Sequence, residues 1–180
     1  MTWKEAWKRG AQSLQKAGVE EYDLDAWYLL EHVTGITKAS YYMEPEHPMH
    51  DQEEREYLEL IRKRSTRIPL QHLTGVQEFM GLEFYVNEHV LIPRQDTETL
   101  VELILNEHKE KNISLLDVCT GSGCIAVSLA KLGGYADVTA LDLSEEALKV
   151  AKSNGEKLLD HPVKFIKSDI VFCFRSRKPL

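Results

Sequence analysis

Leu115 to Ala130 reads LLDVCTGSGCIAVSLA: an apolar run closing on Asp117, a turn containing Gly121-Ser122-Gly123, and a second apolar run. A short apolar run before a glycine turn reads as a buried strand, and CIAVSLAKLG after it as a helix. The pattern continues with DVTALDL as a second strand and EEALKVAKSNGEKLL as a helix capped by Ser144. VKFIKSDI then reads as a third strand. Strands alternating with helices imply a parallel sheet with right-handed crossovers, so this half of the chain is α/β.

Upstream the period changes. EFMGLEFYVNEHVLIP, Glu78 to Pro93, alternates like two short strands, with the turn expected at Asn87-Glu88. Pro93 ends the second strand, and Thr97 is expected to cap a helix through LVELILNEH. Residues 2 to 75 read as helical. In YDLDAWYLLEHVTG, Leu24, Trp27, Leu30 and Val33 share a helical face, with Asp23 or Asp25 placed to start the helix and Gly35 to end it. A further helix is expected from Asp51 to Arg67. The predicted organisation is a helical domain over 1–80, a hairpin linker over 81–95, and an α/β domain over 96–180.

A glycine turn between a strand and its helix aims backbone N–H groups and a helix N-terminus at a ligand. The absence of Lys after Gly123 excludes the nucleoside triphosphate loop GxxxxGK[ST]. Gly121 to Ala126 matches the dinucleotide pattern GxGxxA literally, and Asp142 stands 19 positions after Gly123 (142 − 123). Asp117, four residues before Gly121, argues against a pyrophosphate, because a carboxylate repels it at close range. S-adenosylmethionine carries a sulfonium and an ammonium and no phosphate, so the same charge attracts it. Asp142 suits the ribose diol of either ligand, and Asp169 suits an adenine amino group or a helix cap.

Composition narrows the function classes. A net charge of −7 argues against a broad grip on nucleic acid or an anionic membrane. The cysteines Cys119, Cys124 and Cys173 form no CxxC pair and are odd in number, which speaks against a disulfide framework or a zinc site. No run reaches the length of a membrane span, and a cytoplasmic protein is expected. His47 and His50 read as solvated surface, and Trp3, Trp7 and Trp27 as bundle core. The basic cluster Arg62, Lys63, Arg64 and Arg67 reads as a solvated helix face.

Several motifs together resemble one family. These are Asp117-Val118-Cys119-Thr120-Gly121-Ser122-Gly123; Ala140-Leu141-Asp142-Leu143-Ser144 with Ala147-Leu148 and Asn154; Leu91 to Glu98; and Leu73-Thr74-Gly75, Glu78-Phe79, Gly81 and Phe84. The set is similar to the bacterial release factor glutamine N5-methyltransferases. The resemblance implies a helical domain joined by a hairpin to a Rossmann-like methyltransferase domain, S-adenosyl-L-methionine as cofactor, and peptide chain release factors as protein substrates. It places Cys119, Thr120, Gly121, Ser122 and Gly123 at the methionine end of the cofactor, where charge alone already assigns Asp117, with Asp142 at its ribose and Asp169 with Ile170 at its adenine. Arg94 to Glu98 would lie against the same pocket, with Gln95 where the family usually has proline.

The family's Asn-Pro-Pro-Tyr motif, which holds the substrate amide, does not occur in these 180 residues. No catalytic residue is therefore assigned. VFCFRSRKPL, after Ile170, does not read as the next helix and strand, and a truncation or frame change is expected there. A first strand left without its second neighbour would be an open edge, so self-association is expected.

Overall fold

The computed structural model describes residues 1–169 and divides the chain into two compact units, Met1–Thr74 and Gly75–Leu180. The first is a bundle of α1 (Trp3–Lys16), α2 (Tyr22–Thr34), α3 (Lys38–Met43), α4 (Asp51–Ser65) and α5 (Leu70–Thr74). Thr2 and Glu5 close a capping box at the start of α1, and Gly35, at φ 68°, ends α2 in the left-handed conformation. The core gathers Leu14, Trp27, Leu29, Leu30, Tyr57 and Ile61. Trp7, Trp27 and Tyr41 meet edge to face at 5.2–5.4 Å. Trp3 stacks on His47 at 4.3 Å. Leu24, expected on the buried face with Trp27, is 38% exposed.

Two local expectations change here. Neither Asp23 nor Asp25 caps α2, whose N-cap is Glu21 without a side-chain bond. Asp25 is buried and accepts from Arg64 Nε at 2.7 Å. Arg64 is thus withdrawn from the solvated face, because a buried carboxylate is tolerated only when paired. Its neighbours Arg62 and Lys63 remain exposed beside Glu59.

The second unit opens with an antiparallel hairpin, β1 (Val76–Phe79) and β2 (Leu82–Tyr85). Its turn is Met80-Gly81, not Asn87-Glu88. Both turn residues have positive φ, 54° and 72°, as a type I′ turn demands, and Glu98 accepts the Met80 N–H at 2.6 Å. Asn87 makes a smaller turn of its own, accepting from the His89 N–H at 3.0 Å.

Beyond the hairpin come α6 (Gln95–Glu107), β3 (Ser114–Val118), α7 (Cys124–Gly133), β4 (Asp137–Asp142), α8 (Glu145–Leu158) and β5 (Lys164–Lys167). Helix α6 begins at Gln95, earlier than a Thr97 cap predicts, and its N-cap Arg94 makes no side-chain bond. Gln95 therefore fills the first helical position, where proline is favoured for its fixed φ. Ser144 caps α8 as expected, accepting from the Ala147 N–H.

The three strands are parallel, in the order β3-β4-β5. On one face Leu115, Val138, Ala140 and Phe165 join the core with Val127, Leu129 and Ala130 of α7. On the other, Leu116, Val118 and Ile166 are 53%, 38% and 48% exposed. Among the described residues β3 ends the sheet, as an open edge.

Candidate cofactor site

The site forms at the carboxyl ends of β3 and β4, where an open α/β sheet receives its ligands. After Val118 the chain bends through Cys119 (φ 64°), Gly121 (φ 56°) and Gly123 (φ 80°) into α7. Cys119 is a non-glycine residue held in the left-handed region, a conformation that needs support from its surroundings. That support is visible: the Thr120 N–H donates to Leu141 O at 2.9 Å, and the Gly123 N–H to Thr120 O at 2.9 Å. These bonds lash the turn to β4 and close it on itself.

The two glycines are required for different reasons. A Cβ on Gly123 would stand 3.1 Å from Ala151 Cβ, so this glycine lets α7 and α8 approach. A Cβ on Gly121 would meet nothing within 4 Å. Gly121 therefore borders open space, the cradle that a ligand pressed against the backbone needs.

Two carboxylates frame that cradle. Asp142 accepts the Gly121 N–H through Oδ2 and the Ser144 N–H through Oδ1, both at 2.9 Å. These two bonds fix its plane and leave each oxygen a further lone pair for a hydroxyl donor. Asp117 accepts from Thr120 Oγ1 at 2.6 Å. Burial pushes the Asp117 carboxyl above its ordinary value, the Thr120 hydroxyl and the Ala126 N–H pull it back, and the negative charge of Asp142 raises it further. Two acidic groups this close disfavour a phosphate and favour a cation.

Thr120 and Ser122 are buried, and Cys119 is exposed at the turn. Cys124 is buried, and burial holds its thiol up, which makes it a small packing residue and no nucleophile. Asp169 is exposed and follows β5, where the neighbouring Ser168 N–H donates to Asp142 O at 3.1 Å. Ile170, the basic stretch after it and Cys173 lie outside the described residues. Arg94 to Glu98 form the N-cap and first turn of α6, and Glu98 is committed to the hairpin turn rather than to the cradle. Among the described residues no group of three or more His, Cys, Asp or Glu is placed to hold a metal ion. None of their helices is long and apolar enough to cross a membrane.

Asn154, which the sequence offered as part of a motif and without a role, makes the contact that links the turn to its surroundings. Asn154 of α8 is fully buried and bonds both the glycine turn and the hairpin. Its signal was an amide on the buried side of a helix otherwise carrying Ala147, Leu148, Val150 and Ala151 there. A cavity of about 350 Å³ lies elsewhere, between the end of α8 and the start of β5, lined by Leu159, His161, Pro162, Val163 and Phe165. It is at the opposite end of the strands from the glycine turn.

Comparison with known proteins follows the division into units. The PrmC N-terminal domain matches residues 5–75, and a methyltransferase domain matches residues 109–173. The chain is 36% identical over 169 residues to the release factor glutamine methyltransferase of Leptospira interrogans, covering 91% of this chain and 58% of that protein. It is 39% identical over 172 residues to that of Koribacter versatilis and 34% over 173 to that of Clostridium botulinum, each covering 95% of this chain and 61% of the relative. The chain thus spans about three fifths of the length of these relatives. A solved tRNA (uracil-54, C5)-methyltransferase of Pyrococcus abyssi, in complex with S-adenosyl-L-homocysteine, is a more remote likeness, with a TM-score of 0.44 and 19% identity over 52% of this chain and 23% of that one.

Proposed function

This chain belongs to the release factor glutamine methyltransferase family, and from that premise we propose that its glycine turn holds S-adenosylmethionine for methylation of a release factor's glutamine side chain. The observation that carries the reading is the pair of carboxylates, Asp117 and Asp142, around the open backbone at Gly121. The cofactor supplies a methyl group made electrophilic by a sulfonium. Asp117 attracts the positive end, and its bond from Thr120 keeps one oxygen oriented. Asp142, its plane fixed by two backbone N–H groups, presents its remaining lone pairs to a ribose diol. Asp169, at the end of β5, is proposed to meet the adenine. The Met1–Thr74 bundle is proposed as the release-factor docking domain, acting in the cytoplasm without direct contact to nucleic acid or membrane.

An amide nitrogen is a weak nucleophile because its lone pair is delocalised, so transfer to glutamine depends on positioning of the amide. The Asn-Pro-Pro-Tyr motif expected to do this is not among the 180 residues. A second reading, for these 180 residues taken by themselves, is a cofactor-binding and partner-docking module without transfer. Titration calorimetry with S-adenosylmethionine and with NAD tests the cofactor; heat with the first and none with the second is expected, and the reverse result would sink the reading. Transfer of a labelled methyl group to a release factor separates the two forms of the proposal.

A further inference from the structure

Both the glycine turn and the hairpin meet α8 at one residue, Asn154. Asn154 is fully buried at a position where the helix is otherwise apolar, and a buried amide is tolerated only when its donors and acceptor are met. Here all are. Nδ2 donates one proton to Tyr85 O at 2.9 Å and the other to Ser122 O at 2.9 Å, while Oδ1 accepts the Tyr85 N–H at 2.7 Å. Tyr85 is the last residue of β2, and Ser122 is the residue between the two glycines of the turn. The same amide therefore satisfies both backbone groups at the end of the hairpin and the carbonyl at the centre of the cofactor turn. Only one orientation of the side-chain amide meets all three contacts.

The geometry has a mechanical meaning. The turn is tied to β4 through the Thr120 and Gly121 N–H groups, and Asn154 adds the tie from its central carbonyl to α8. The hairpin is gripped at its other end by Glu98, through the Met80 N–H. We infer that Asn154 is a positioning residue for the cofactor site, which makes the glycine turn and the hairpin one unit: a ligand seated on the turn fixes the hairpin, and a displaced hairpin loosens the turn. The coupling is reciprocal, because each segment shares the same hydrogen-bonding amide. The identity of the ligand rests on the reading proposed above; the tie itself does not.

Amide hydrogen exchange on the whole chain, with and without S-adenosylhomocysteine, tests this in the wild type and in Asn154→Asp. The variant keeps the acceptor for Tyr85 and loses both donors. In the wild type, saturating ligand is expected to slow exchange at Tyr85 and Val86 as well as at Gly121 and Gly123. In Asn154→Asp without ligand, the amides of Gly121 and Gly123 should exchange about tenfold faster or more, as loss of buried hydrogen bonds predicts. The hairpin amides should then no longer respond to ligand. An unchanged turn, or a hairpin that still responds in the variant, would overturn the inference. Should the variant fail to fold, the wild type decides alone: the Tyr85 and Gly123 amides must open together across a urea series, and independent openings refute the tie. If calorimetry finds no binding of S-adenosylhomocysteine to the wild type, the cofactor reading fails, and the ligand-free comparison still judges Asn154.

Discussion

Asp117, in the role proposed for it, would serve a ligand at the expense of the empty fold. Its carboxyl is raised in the folded chain from an ordinary value of 3.8, first by burial, so the folded state resists its ionisation. The sign follows directly: the stability associated with protonated Asp117 is complete below the unfolded value and is lost as pH rises through the raised folded value. Asp117→Asn removes this opposition and should raise the melting temperature of the ligand-free chain. The same change should weaken S-adenosylmethionine binding by about tenfold or more, the scale of a bond to a charged group. Calorimetry across pH should find wild-type affinity rising as Asp117 ionises, and a nearly flat profile in the Asp117→Asn variant. At Gly10 the constraint is steric. A glycine inside α1 costs helix stability of about 1 kcal/mol relative to alanine, yet a Cβ there would sit 1.9 Å from Tyr57 Oη. Gly10→Ala should therefore destabilise the bundle by about 1–3 kcal/mol in urea titration, the usual range for overpacking.

At the scale of elements, the hairpin separates what is local from what is not. Asn87 carries a true turn signal and uses it, but in a turn that joins no strands, which is why local sequence points to the wrong place. Met80-Gly81 is the hairpin turn although its first residue is a methionine at positive φ, which local propensity disfavours. Glu98, 18 residues away, makes it tenable by accepting the Met80 N–H. Glu98→Ala should thus loosen the hairpin without touching a strand. A loss of about 1–2 kcal/mol is expected in urea unfolding, with faster amide exchange at Met80. The end of α2 and the start of α8 were legible, since Gly35 and Ser144 act within one turn of chain. The start of α2 was not, because Asp25 had a stronger partner in Arg64, 39 residues on.

At the scale of the whole molecule, the sheet is covered on one face, while on the other Leu141 is buried but its neighbours stand exposed. Leu116, Val118 and Ile166 share that second face, and among the described residues β3 adds an unpaired edge to it. Exposed apolar surface beside a free strand edge favours association between copies. The 180-residue chain should sediment partly as oligomers at micromolar concentration, and Leu116→Lys with Val118→Thr should shift it toward monomer. Equal sedimentation of both proteins would contradict this account.

The sequence by itself determined the α/β pattern, the helical first unit, the glycine turn and its acidic neighbours Asp117 and Asp142. Each is carried by spacing along a few residues, which a chain displays without folding. Only the tertiary structure decided which groups those residues serve: Arg64 for Asp25, the Met80 N–H for Glu98, and two backbone segments at once for Asn154. A buried polar group must find its partner across whatever the fold brings near, and that choice is made by packing rather than by sequence distance.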